Sequence, residues 1–303
     1  MNGKIRFRSE VGASKGATAV IADKTDLQKP SSRRPTIGVF DSGVGGLTVL
    51  AALLRTIPHA NYLYFGDTAR LPYGSKSAIT VAHYAVGAVQ HLQAQGAELL
   101  VVACNTATAL ALDEIRAASK VGVIGVVEPG ADAASKASKN RNVVVIGTDA
   151  TITSHAYHRA LDARQIAVTE KACPLFVPLV EEGWTDHPVT EQVARIYLGE
   201  AFSGQARNAD VLVLGCTHYP LLKPLLRRVA PVHVAIVDSA ESTAHEMARQ
   251  LQLQPLASSA EQERRSAPRL RFFATDSAEK FKRMGSRFLS LPVEDVLHVD
   301  LKE

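Results

Sequence analysis

The sequence has few cysteines, and it lacks the spacings that hold metals. Cys104, Cys173 and Cys216 are the only cysteines in 303 residues. They are odd in number and far apart, which argues against the disulfide framework of a small secreted domain. The CxxC and HExxH spacings are both absent from the sequence. We therefore expect neither a disulfide nor a structural metal.

Long apolar runs are also missing. No run approaches the roughly 18–20 apolar residues that a membrane-spanning helix needs, which argues against a membrane protein. The first residues do not show an apolar core followed by a small-residue cleavage site, so we expect no secretory signal and a cytoplasmic location. The chain is 46% hydrophobic and 21% charged. These values are typical of globular proteins that bury a sizeable core.

The positive charge is concentrated at one end. Residues 1–34 contain eight Lys and Arg against three Asp and Glu, about +5, whereas the whole chain carries a formal charge of +4. The rest of the chain is therefore close to neutral, and the basic pI is weak evidence for nucleic-acid binding. We expect no direct nucleic-acid binding, and we predict that residues 1–34 form a disordered extension.

Short apolar runs rich in β-branched residues recur from Pro35 onward. They are apolar throughout instead of alternating, which is typical of parallel strands covered on both faces. Stretches with helical periodicity lie between them. This alternation predicts an α/β fold with doubly wound, mainly parallel sheets and ligands beyond the carboxyl ends of the strands. The predicted strands are Thr36–Phe40, Tyr62–Phe65, Leu99–Ala103, Val121–Val127, Val143–Ile146, Val211–Leu214 and Val234–Val237.

A faint internal repeat relates two parts of the chain. LLVVACNTA (residues 99–107) and VLVLGCTHY (residues 211–219) share four apolar residues, a small residue, a cysteine and polar residues. IGVFDSGVGG (residues 37–46) and VVVIGTDATITS (residues 143–154) form a second pair at a similar offset. Two α/β halves would then each place one cysteine at the end of an equivalent strand. The alternative is that unrelated strand ends have converged on similar residues.

Cys104 and Cys216 are the main candidates for chemistry. A lone buried cysteine is most often an inert hydrophobic residue. Each of these two, however, lies at a predicted strand-to-helix turn, where helix amides lower a thiol pKa and favour the thiolate. Two thiols on opposite walls can remove a proton from one face of a carbon and deliver one to the other. A hydrolase that uses only Cys216 and His218 is an alternative, but it leaves Cys104 without a role.

The motifs together resemble those of glutamate racemases, within the aspartate/glutamate racemase superfamily. The resemblance covers about residues 35–289 in the expected order, and it includes YFGDTARLPYG (residues 64–74), CPLFVPLVEEG (residues 173–183) and FFATDSAEKFKRMGSRFL (residues 272–289). It implies two α/β domains related by a pseudo-two-fold axis, with the active site between them. The first domain would comprise residues 35–126 plus 238–303, and the second residues 127–237.

The resemblance also implies an activity and its residues. Members of this family interconvert L- and D-glutamate without a cofactor or metal, and they supply D-glutamate for peptidoglycan. Cys104 and Cys216 would be the acid/base pair, Asp41 and His218 their respective helpers, and Glu181 an acid near the second cysteine. Glutamate would be the small-molecule partner, and a homodimer is the assembly to consider. Substrate contacts would come from Asp41, Ser42, Tyr73, Gly74, Asn105, Thr106, Thr217 and His218.

Other enzymes on the same scaffold are the nearest alternatives. Aspartate and hydantoin racemases are one class, and one-cysteine decarboxylases are another, against which the second cysteine argues. A purely regulatory binding protein is a third hypothesis. With both thiols and both helper residues present, binding would be a role in addition to catalysis.

Overall fold

The computed structural model describes residues 34–251 and 268–301, so the predicted extension lies outside the described residues except for Arg34. Within these ranges ten strands form two sheets, and every strand pairing in them is parallel. The strands are β1 (Thr36–Asp41), β2 (Asn61–Gly66), β3 (Leu99–Val102), β4 (Gly122–Gly125), β5 (Asn142–Gly147), β6 (Ala167–Ala172), β7 (Val211–Gly215), β8 (Ala235–Asp238), β9 (Leu270–Ala274) and β10 (Val296–His298).

Eleven helices cover the sheets within the described ranges, and none of these helices is long and apolar enough to cross a membrane. Short 3-10 turns occur at Thr68–Arg70, Tyr73–Ser75, Gly204–Asn208 and Tyr219–Leu222. The helices are α1 (Leu47–Thr56), α2 (Ala78–Ala94), α3 (Asn105–Ala118), α4 (Val127–Ala137), α5 (Asp149–Thr153), α6 (Ala156–Asp162), α7 (Phe176–Glu181), α8 (Pro188–Ala201), α9 (Lys223–Val229), α10 (Ser239–Gln250) and α11 (Ala278–Leu289).

The core lies on both faces of the sheets. Every residue of β1 after Thr36 is buried, as is every residue of β7. A strand can bury all of its residues only where helices cover both of its sides, which is why these strands are continuous apolar runs. Each fully buried Val, Leu, Ile or Phe contributes about 1.5–3 kcal/mol to folding. The predicted α/β class with parallel sheets is confirmed.

The two sheets repeat one strand order. The strand order of the first sheet is β10-β9-β2-β1-β3-β4, and that of the second is β6-β5-β7-β8. The strands β6, β5, β7 and β8 therefore correspond in order to β2, β1, β3 and β4. Phe40 pairs with Val102, and Ile146 pairs with Leu214. The two cysteines follow two residues after Val102 and Leu214, at equivalent strand ends. The repeat in the sequence therefore corresponds to a repeat in topology.

All seven predicted strands are present, but one was predicted too long. β4 ends at Gly125, and Val127 already begins α4. The valines after Gly125 are buried at the start of a helix. A short apolar run alone does not distinguish a strand from a buried helix. The first sheet draws its strands from residues 36–125 and 270–298, and the second from residues 142–238. The domain boundaries inferred from the resemblance stay a prediction.

Candidate active site

A cavity of about 190 Å³ lies at the carboxyl ends of the two sheets. This volume is below the roughly 300–1,000 Å³ of pockets for drug-sized ligands, so the cavity suits a small metabolite. It brings together most of the residues that the sequence analysis singled out, while Asp41 and Glu181 lie outside its lining. The predicted residues that line it are Ser42, Tyr73, Gly74, Cys104, Asn105, Thr106, Cys216, Thr217 and His218.

Cys104 lies between β3 and α3, and it caps the first turn of the helix. Its Sγ accepts a hydrogen bond from the Ala107 amide at 3.4 Å and lies 3.5 Å from Ser42 Oγ. Burial and the nearby Asp41 carboxylate raise the pKa of Cys104 to about 12, against the hydrogen bonds from Ser42 and Ala107. The helix amide of Ala107 lowers the pKa of Cys104, as expected, but burial has the larger effect. Its side chain is a neutral thiol at pH 7.

Cys216 follows β7 and lies beside a charged imidazole. Its Sγ is 4.0 Å from His218 Nδ1, and His218 Nε2 is 3.2 Å from Glu181 Oε1 at the end of α7. Burial alone lowers the pKa of His218, but the interactions with Cys216 and Glu181 prevail and raise it to about 10. The Phe288 ring packs edge-on against the imidazole, with 5.2 Å between centroids. His218 is therefore fixed in place and charged at neutral pH.

Asp41 lies behind the cavity wall and joins the two sheets. It is the last residue of β1 and is fully buried. Its Oδ2 accepts from the Gly43 amide at 2.9 Å, and its Oδ1 accepts from Thr217 Oγ1 at 3.4 Å. Burial raises its pKa, against the charge of His218 and hydrogen bonds from Gly46, Gly43 and Thr217. The carboxylate thus links the residues after β1 to those after β7.

The turn after β1 approaches the second sheet closely at Gly45. A Cβ on Gly45 would overlap Thr217 Oγ1 and would lie 2.5 Å from His218 Nδ1. We expect Gly45→Ala to lower the free energy of unfolding by about 1–3 kcal/mol, as overpacking does. Gly199→Ala is the control, because nothing lies within 4 Å of a Cβ at this position in α8. That change should raise the free energy of unfolding by about 1 kcal/mol through helix propensity. Effects of the same sign in urea unfolding would contradict this interpretation.

The first turn of α3 is bound to the second sheet. Tyr157 donates its hydroxyl to Asn105 Oδ1 at 2.7 Å, and Thr106 Oγ1 lies 2.9 Å from Thr148 Oγ1. Asn105 Nδ2 is buried and has no hydrogen-bond partner within the described ranges. A buried donor of this kind calls for a ligand acceptor. The N-terminus of α3 adds the positive end of its dipole, so this wall favours an anionic ligand.

Residues 71–75 form another wall of the cavity. Tyr73 is buried in it, and its hydroxyl donates to Asp67 Oδ2 at 2.6 Å. Gly74 lies close enough to the second sheet that a Cβ there would be 3.0 Å from Thr148 Cβ. Tyr73 and Gly74 both line the cavity, as predicted, although the tyrosine hydroxyl is occupied by Asp67.

Several lining residues were missed by the sequence analysis. Thr148 and Asp149 follow β5 and line the cavity, together with the apolar Pro174, Val177 and Pro178 around α7. The repeat contained a signal for Thr148, because it follows β5 as Ser42 follows β1. The apolar residues carry no local signal, since only the packing of α7 places them at the cavity.

The cavity brings two sulfur atoms with different neighbours within reach of one ligand. Cys104 is a neutral thiol, and Cys216 lies beside a charged imidazole. One can therefore give a proton while the other receives one, which is general acid–base catalysis. No group of three or more His, Cys, Asp or Glu suited to a metal ion occurs in residues 34–251 and 268–301.

Comparison with known proteins places the chain among racemases. Residues 41–247 match the family model described as Asp/Glu/Hydantoin racemase. The glutamate racemase of Koribacter versatilis is 60% identical over 288 residues, covering 89% of this chain and 99% of the relative. A solved glutamate racemase from Bacillus anthracis has a TM-score of 0.80 at 38% identity, covering 88% of this chain and 98% of that one. A Francisella tularensis glutamate racemase in complex with D-glutamate has a TM-score of 0.78 at 34% identity, with the same coverage.

Proposed function

The chain belongs to the Asp/Glu/Hydantoin racemase family, and we propose that it interconverts L- and D-glutamate by a two-base, cofactor-independent proton transfer at the α-carbon. The observation that carries this proposal is that Cys104 and Cys216 line one cavity from equivalent strand ends of two sheets. The names of the relatives support glutamate as the substrate. By the resemblance of the motifs, the D-glutamate would be used in peptidoglycan synthesis.

The two cysteines act as acid and base in turn. In one direction the Cys104 thiol supplies a proton, while Cys216, which lies beside the charged His218, removes the α-proton from the opposite face. The α C–H bond breaks as its proton moves to Cys216 Sγ and its electron pair stays on the α-carbon. That pair then forms a new C–H bond with the proton of Cys104, which is left as a thiolate. In the reverse direction the same residues exchange these tasks. Asp41 lies near Cys104 as its helper, and Glu181 holds His218 in its charged form.

The site has to stabilise the carbanion that forms when glutamate loses its α-proton. Negative charge that develops on the α-carboxylate is stabilised by donors that are already oriented before the reaction. We assign this role to Asn105 Nδ2, which has no hydrogen-bond partner within the described ranges, and to the first turn of α3 at the cavity wall. The apolar wall of Pro174, Val177 and Pro178 suits the methylene groups of the side chain and excludes water.

Solvent deuterium tests the proposal directly. Purified protein is incubated in deuterium oxide with L-glutamate or D-glutamate, without added cofactor, and the α-proton signal and the circular dichroism are followed together. We expect both enantiomers to racemise and early product to carry deuterium while recovered substrate keeps its proton. A one-base mechanism would instead place deuterium in substrate and product alike. L-Aspartate under the same conditions is the control for specificity.

Three results would contradict the proposal. One is optical stability of both glutamate enantiomers, another is activity that requires added pyridoxal phosphate, and the third is faster racemisation of aspartate. Faster racemisation of aspartate would be consistent with the two-base chemistry, but it would assign the protein to the aspartate racemases of the same family.

A further inference from the structure

Asp67 is a fully buried carboxylate that does not line the cavity. It follows β2 directly, and its two oxygens accept three hydrogen bonds from side chains. Tyr73 donates to Oδ2 at 2.6 Å, while Arg70 Nη1 and Thr275 Oγ1 donate to Oδ1 at 3.0 and 2.8 Å. A buried carboxylate with three donors is held rigidly, because its two oxygens are fixed from three directions.

Tyr73 is the buried member of the cavity wall formed by residues 71–75. Pro72 and Ser75 are exposed, and Leu71 and Gly74 are half-buried. The Tyr73 ring packs against Phe40, with 6.3 Å between the ring centroids. Burial and the charge of Asp67 raise the pKa of Tyr73, so its hydroxyl stays protonated and donates to the carboxylate. This one side chain therefore fixes a wall that is otherwise in contact with solvent.

The other contacts of Asp67 belong to the first sheet. Thr275 directly follows β9, which pairs with β2. Thr68 Oγ1 donates to the Asp276 carbonyl at 2.7 Å and accepts from the Asp276 amide at 2.9 Å. Arg70 Nη2 donates to the Leu301 carbonyl at 3.0 Å. The carboxylate is thus supported by three segments of chain that are distant in sequence.

We propose that Asp67 is a positioning residue that, through the Tyr73 hydroxyl, holds residues 71–75 in place as a wall of the cavity in which the substrate binds. This inference rests on the proposed function. Asp67 touches neither cysteine, so its loss leaves the proton transfer intact and loosens the binding wall. An interaction that serves substrate binding and the transition state equally changes KM and not kcat.

Tyr73→Phe is the decisive variant, since it keeps the ring and removes only the hydroxyl. We expect KM for glutamate to rise about 10- to 100-fold, the equivalent of one hydrogen bond to a charged group, with kcat within about 2-fold of wild type. Tyr62→Phe is the matched control. Tyr62 is an equally buried tyrosine of the same sheet, and its hydroxyl donates to the backbone carbonyls of Leu53 and Ile57. Its loss should lower the melting temperature and leave KM unchanged.

A double-mutant cycle with Asp67→Asn tests whether the two residues act together. In the Asp67→Asn background, Tyr73→Phe should change KM by less than about 2-fold, because the charged acceptor of the tyrosine hydroxyl is already lost. Fully additive effects of the two substitutions on KM would overturn the inference, and so would equal KM values in Tyr73→Phe and Tyr62→Phe. In either case, racemisation by the wild-type protein would still uphold the proposed function. If Asp67→Asn does not fold, the comparison of the two phenylalanine variants decides. A wild-type protein that does not racemise glutamate overturns both proposals.

Discussion

Cys104→Ser and Cys216→Ser are each expected to lower the rate of glutamate racemisation by about 10³-fold or more. Removal of a general acid or base costs about 10²–10⁴-fold, and a serine hydroxyl is a much weaker acid than a thiol. Each variant keeps one sulfur, so it can still exchange the α-proton of one enantiomer with solvent. Loss of the α-proton signal in deuterium oxide, followed separately for each enantiomer, detects this one-sided exchange.

The third cysteine is an internal control for these variants. Cys173 is buried like the other two, but it does not line the cavity, and its Sγ donates to the Lys171 carbonyl at 3.7 Å. Cys173→Ser keeps a donor for that carbonyl and should leave kcat within about 2-fold of wild type. Full activity in either Cys104→Ser or Cys216→Ser would disprove the two-base mechanism.

Glu181→Gln is expected to shift the alkaline limit of racemisation to lower pH by about 1–2 units, the usual effect of an opposite charge at this distance. Burial by itself lowers the pKa of His218, and the interactions with Cys216 and Glu181 raise it to about 10. Without the carboxylate, only the interaction with Cys216 opposes the effect of burial, so the imidazole loses its proton at a lower pH. The measurement is kcat from pH 6 to 10.5. Glu182→Gln is the matched control, since Glu182 is the adjacent residue and is exposed.

The same residue makes stability depend on pH in a defined direction. The folded pKa of His218 lies above its ordinary value of 6.5, so the stabilisation is complete below pH 6.5 and is lost as pH rises towards 10. Between these values the free energy of unfolding should fall more in wild type than in His218→Gln, by on the order of 3 kcal/mol. Parallel pH profiles in urea unfolding would show that the histidine is not charged in the folded protein.

Much of the fold was predictable because its strands are short, continuous apolar runs. Such runs are typical of strands that are covered on both faces. They identified β1, β3, β5 and β7, each of which is followed by polar residues. Three strands escaped. β6 reads AVTEKA and is half-buried except for exposed Ala167, and β10 has only three residues. β9 lies in a segment that was assigned by resemblance alone.

The site was predictable where chemistry follows a strand, and not where tertiary packing decides. Cys104 and Cys216 were found because polar residues follow each of them after an apolar strand. The raised pKa of Cys104 could not be predicted, since the local sequence shows the helix amides but not the burial or the Asp41 carboxylate from another strand. Asp67 gave no signal either, because an aspartate after a strand looks like an ordinary turn residue.

The burial of Cys104 has a consequence for successive turnovers. A catalyst that moves hydrogen from one sulfur to the other ends each cycle as the mirror image of its starting state, ready to accept the enantiomer it has just released. Resetting requires a proton to travel through a pocket in which Cys104 is only 5% exposed. If the proposed two-base mechanism holds, rebinding of substrate at high concentration competes with this reset, and the free enzyme then exists in two protonation forms, each specific for one enantiomer.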